Sequence, residues 1–143
     1  MGRRLGSMVA IAGAFVLAGS AYAAAPTAAQ YRAQANAVCN ADQKKLDALP
    51  HGITLAVYLE DAIAVTQSSL TALQKLHPPA SLAALHAKVV ANIRAGFPIV
   101  QRLLVRAKAG KLTAAQLGKD PALTANAKNE VSLWKQLGAK DCT

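Results

Sequence analysis

What is scarce in this chain closes most routes to a named chemistry. The sequence holds two Cys, two Met, three His, one Trp, three Tyr and two Phe among 143 residues. Both methionines, Met1 and Met8, fall in an N-terminal stretch that reads as an export signal, so a His/Met haem site is excluded from the mature chain. No Cys-x-x-Cys-His is present, which excludes c-type haem attachment. The nucleophile elbow Gly-x-Ser-x-Gly, a Gly-rich phosphate loop and His-Glu-x-x-His are all missing. The histidines are His51, His77 and His86. His77 and His86 are nine apart, half a turn out of phase on a helix, and cannot chelate locally. No catalytic residue, metal ligand or cofactor is therefore expected, and the chain reads as no enzyme. Beyond the signal the aromatics are Tyr31, Tyr58, Phe97 and Trp134, each on a helix face. No stacking platform for nucleic acid results. Alternating β-branched and polar residues are absent too, so no sheet is expected.

What is present begins with residues 1–23. Arg3 and Arg4 form a basic start, Met8–Ala18 is an unbroken small and apolar run, and Ala21-Tyr22-Ala23 offers a small-x-small cleavage pattern. The run is too short to span a bilayer, which takes about 20 residues. Cleavage after Ala23, or after Ala24 or Ala25, leaves a periplasmic or extracellular protein with no transmembrane segment. The Arg pair fits either an ordinary basic n-region or a twin-arginine signal. Residues 24–143 make one domain. In an exported chain the two cysteines, Cys39 and Cys142, are expected to pair, closing a loop of roughly 100 residues.

Alanine and leucine dominate the rest and favour helix. One helix is expected from about Ala28 to Ala48, opened by a Thr27/Gln30 capping box and stopped by Pro50-His51-Gly52. A second runs from about Thr54 to Leu76, ending at His77-Pro78-Pro79. A third runs from Ala80–Leu82 to about Ala109, with Gly96 and Pro98 marking a kink or a break. A turn at Thr113–Leu117 precedes a last helix, which opens at Asp120-Pro121 and closes at Gly138. The expected architecture is an all-α antiparallel four-helix bundle with its third helix kinked near Pro98 and one disulfide.

Charge is strongly one-sided. Sixteen Lys and Arg face seven Asp and Glu, a formal net charge of +9. Removal of Arg3 and Arg4 leaves about +7, since both are cations and no acid leaves with them. No acid occurs between Asp61 and Asp120, whereas Lys75, Lys88, Arg94, Arg102, Arg106, Lys108, Lys111 and Lys119 all do. Lys88, Arg102 and Arg106 fall within about 40° of one another on the third helix, opposite its apolar stripe. Three aligned cations can grip phosphate or carboxylate groups; equally, a charged helix face can be simply solvated. Among the acids, Asp42 interrupts the apolar stripe of the first helix, where a buried carboxylate needs a partner. A salt bridge to an Arg or Lys of the third helix is expected there.

Two stretches resemble a known group. Tyr31-Arg-Ala-Gln-Ala-Asn-Ala-Val-Cys39-Asn-Ala and Leu73-Gln-Lys-Leu76-His-Pro78-Pro79 resemble segments of small, uncharacterised exported bacterial helical-bundle proteins. The resemblance covers about a third of the chain and implies a fold but no activity. The His-Pro segment and the disulfide also resemble those of mycobacterial secreted haemophores, although the cysteine spacing here is longer.

The function expected from these features is non-enzymatic binding to an anionic envelope polymer, a lipid surface or an acidic protein, through the third helix. A haem or small-ligand carrier, with a pocket at the Pro98 kink near His86 or Tyr58, is the first alternative. An enzyme acting on an anionic substrate with Asp42 and an arginine is the second.

Overall fold

The computed structural model describes residues 25–143; the proposed signal, residues 1–23, lies outside them. The chain forms α1 (Ala28–Asp47), α2 (Leu55–Gln74), α3 (Ala80–Lys108), the single turn α4 (Ala114–Leu117), α5 (Pro121–Leu137) and a terminal 3₁₀ turn, Lys140–Cys142. No strand occurs among the described residues, and none of their helices is long and apolar enough to cross a membrane.

Local sequence explains the boundaries. Thr27 Oγ1 accepts from the Gln30 amide while Gln30 Oε1 accepts from the Thr27 amide, a reciprocal cap that satisfies two otherwise orphaned donors. Thr113 and Gln116 repeat the device at α4. Thr54 caps α2, and the Asp120 carboxylate accepts from the amides of Ala122 and Leu123 at the start of α5, with Pro121 in the first turn. α3 continues through Pro98 as one helix of 29 residues and does not break into two. Pro98 is exposed, so its ring and the missing donor face outward.

α3 is the central element. It packs against α2 on one side and α5 on the other, while α1 packs against α2. Two apolar clusters result. One gathers Tyr31, Leu73, Val89, Ile93, Trp134 and Leu137, and Phe97 packs against it. The other gathers Leu59, Leu103 and Leu112, with Val100 and Leu123 against it. Between α3 and α5 lies a part-buried polar ladder. Asn92 Nδ2 donates to the Asn126 carbonyl, Asn126 Nδ2 donates to the Asn92 carbonyl, and Asn129 Nδ2 donates to Asn92 Oδ1. The absent side chain of Gly96 admits Asn126: a Cβ there would stand 3.0 Å from its Oδ1.

Cys39 and Cys142 form the disulfide, across 103 residues of sequence. The reach comes from the C-terminal tail. Gly138, at φ +79°, turns the chain out of α5. The tail then runs along α1: Arg32 Nε donates to the Leu137 carbonyl, the Asp141 amide donates to Asn36 Oδ1, and Asn40 Nδ2 donates to Asp141. The disulfide and the lack of a membrane-spanning helix among the described residues are both compatible with an extracellular or periplasmic protein.

Candidate functional site

The cations of α3 come first because the sequence singles them out. Lys88 and Arg102 are exposed and Arg106 is half-buried. Lys88 and Arg106 are eighteen residues apart, about 27 Å along the helix at 1.5 Å per residue. The three therefore make a long stripe rather than a single anion pocket. Arg102 has a partner: its Nη2 lies 3.5 Å from Asp120 Oδ1, the same oxygen that caps α5. Lys108 pairs with Glu60. Lys88 and Arg106 have no carboxylate partner among the described residues. The sequence gave no sign that Asp120, eighteen residues on, pairs with Arg102.

Asp42 does not find the expected base on α3. Its carboxylate accepts a hydrogen bond from Ser69 Oγ of α2 and lies 3.8 Å from Lys45 Nζ, one turn on in α1. α1 packs chiefly against α2, so a serine of that helix is the group within reach. Asp42 and an arginine are thus not brought together.

The residues offered as haem ligands are also placed apart. Tyr58 is exposed on α2. His86 Nδ1 is 2.6 Å from the hydroxyl of Tyr31, a fully buried residue, in an edge-to-face pair. Burial pushes the Tyr31 hydroxyl up to about 12 and lowers the His86 pKa, so at neutral pH a neutral phenol meets a neutral imidazole. This is a core hydrogen bond across α1 and α3.

A cavity does lie along α3, at Phe97 and Val100, and Pro98 does not line it. It has a volume of about 170 Å³, between Ala62, Ile63 and Thr66 of α2, Ile93, Phe97 and Val100 of α3, and Leu123, Asn126 and Glu130 of α5. Neither His86 nor Tyr58 lines it. It occupies the gap between the two apolar clusters, with Ile93 and Phe97 from one side and Val100 and Leu123 from the other. A second cavity, of about 280 Å³, adjoins it and shares Thr66, Ile93 and Glu130. The disulfide, Asp42, Ser69, Trp134 and Asp141 border this second space.

Glu130 stands where the two cavities meet. Its Oε1 accepts from the Trp134 indole Nε1 at 3.3 Å, one turn on in α5. Burial raises the Glu130 pKa; the Trp134 hydrogen bond partly offsets that rise. No basic side chain pairs with it among the described residues. The sequence reading overlooked Glu130, yet the signal was present: Leu123, Glu130, Trp134 and Leu137 follow one helical stripe, and an acid inside it is the anomaly. Val131 is exposed, because the buried face of α5 is turned toward Leu133, Trp134 and Leu137.

Compared with protein-family models, curated proteins and solved structures, the chain matches none of them.

Proposed function

We propose that this is an exported, non-enzymatic binding protein held to anionic envelope surfaces by the outward cations of α3. In this reading residues 1–23 direct export to the periplasm or beyond. The four long helices form an antiparallel bundle, bent in α3 at Pro98, that presents the stripe as a rigid edge. One observation carries the reading. Of the eight cations in the acid-free stretch between Asp61 and Asp120, seven are exposed, and only Arg102 and Lys108 meet a carboxylate among the described residues. Basic side chains near an anionic membrane surface each contribute on the order of 1 kcal/mol. A 27 Å stripe, by the helical rise used above, suits an extended polyanionic surface better than a small anion.

Co-sedimentation with vesicles tests this. The mature protein is expected to pellet with vesicles of phosphatidylglycerol and phosphatidylethanolamine and to remain in solution with phosphatidylcholine. Equal partitioning to both, or to neither, contradicts the proposal.

A further inference from the structure

The walls of the two adjoining cavities carry charge opposite in sign to the net charge of the chain. Of the described residues that line the two adjoining cavities, none is Lys, Arg or His, although the chain has sixteen Lys and Arg. Three of its seven acids, Asp42, Glu130 and Asp141, are there. They come from α1, α5 and the terminal 3₁₀ turn, so three separate elements converge on one space, and the disulfide pins the third beside the first. Of these, Asp42 is held by Ser69 and Lys45, and Asp141 by Asn40. Glu130 has only the Trp134 indole, which leaves acceptor capacity on its carboxylate.

The neighbouring cavity has different walls. Ile63, Ile93, Phe97, Val100 and Leu123 make it apolar, and Glu130 is the one ionisable residue among the described residues that line it. A cavity of about 150 Å³ lined by such side chains accommodates benzene. The space beside Phe97, at about 170 Å³, is of that size. An apolar cavity with one under-satisfied carboxylate in its wall is complementary to a molecule with an apolar body and one cationic end. A neutral apolar body would leave the carboxylate unmatched, and an anion would meet three carboxylates at close range.

We propose that the apolar cavity between α2, α3 and α5, together with the adjoining cavity that α1 and the C-terminal turn help to wall, forms a binding site for a small aralkyl or alkyl amine, with its apolar group against Phe97 and its ammonium on Glu130. Asp42 and Asp141 keep the adjoining chamber negative and draw the cation inward. The exterior stripe acts over an aqueous distance that salt screens within about 8 Å, so it does not prevent entry of a monocation. This site is independent of the surface-binding role of α3: the amine needs neither Lys88 nor Arg106.

Phenethylamine is the probe, with phenethyl alcohol as its neutral counterpart and phenylacetate as the anionic one. The chain's one Trp donates to Glu130, so its indole N–H resonance reports occupancy directly. Saturable displacement of that resonance by phenethylamine is expected, with affinity at least about tenfold above the alcohol and no effect of phenylacetate, the difference set by a charge-assisted hydrogen bond. Glu130→Gln keeps an indole acceptor and is expected to bring the amine down to the alcohol's affinity. Ala62→Leu, which fills the apolar chamber, is expected to remove both. Equal affinity for amine and alcohol, amine binding that survives Glu130→Gln, or no displacement by any probe overturns the proposal.

Discussion

At the residue scale, buried polar groups sort into those that find partners and one that does not fully. Tyr31 and His86 complete each other, as do the asparagines of α3 and α5. Glu130 is different, because burial disfavours its charged form and only an indole meets it. Its folded pKa lies above the 4.5 of the free side chain, so folding favours its protonation. Relative to Glu130→Gln, the wild-type protein therefore gains stability as pH falls through the raised folded value. The gain is complete below about pH 4.5, the unfolded reference. Urea unfolding of the pair is expected to show the variant as the more stable one at pH 7, with the gap closing on acidification. A variant less stable at pH 7 would show that the carboxylate is well satisfied and that the cavity account is wrong. A residue that costs stability where it stands belongs to the pattern of functional sites.

At the scale of elements, most boundaries were legible because they are local. Capping boxes, Asp120-Pro121 and Pro78-Pro79 act within a turn, and each helix starts or stops within a residue or two of its expected end. What was not legible depends on which helix faces which. Ser69 as the partner of Asp42, and Asp120 as that of Arg102, follow from α1 packing on α2 and from α5 starting beside α3; no spacing along one helix encodes either. The terminal turn was missed for a related reason. Three residues have little propensity of their own, and this turn is held by Asn36, Asn40 and the disulfide of α1. The cysteine pairing itself was readable from compartment and count. Its removal tests the role of the tail: Cys39→Ser with Cys142→Ser is expected to lower stability by about 4.7 kcal/mol in the chain-entropy model, since the loop closed is long. Calorimetry or urea titration of the double variant measures it. A loss under about 1 kcal/mol would mean that the hydrogen bonds from α1 hold the tail unaided.

At the scale of the molecule, cations and carboxylates are segregated. Five cations of the acid-free stretch lie on α3 and four of them are exposed, while among the described residues the charged side chains lining the two cavities are carboxylates alone. The sequence made the first half visible through the long interval without an acid. The second half appeared only when Asp42, Glu130 and Asp141, scattered over a hundred residues, were folded around one space. The structure also changes how the outer stripe is best interrogated. Reversing Arg102 would set a carboxylate beside Asp120 and disturb the cap of α5, so a loss of binding there would be ambiguous. Lys88 and Arg106 carry no such contact.

The most direct measurement is thus the ratio of vesicle partitioning between the wild-type protein and Lys88→Gln with Arg106→Gln, followed from low to high ionic strength. At about 1 kcal/mol per cation, wild type is predicted to partition about 30-fold more strongly to phosphatidylglycerol vesicles at low salt. The ratio is predicted to fall toward one near about 1 M salt, where screening reaches about 3 Å. A ratio near one at every ionic strength would show that the cations of α3 are only solvated and would contradict the account.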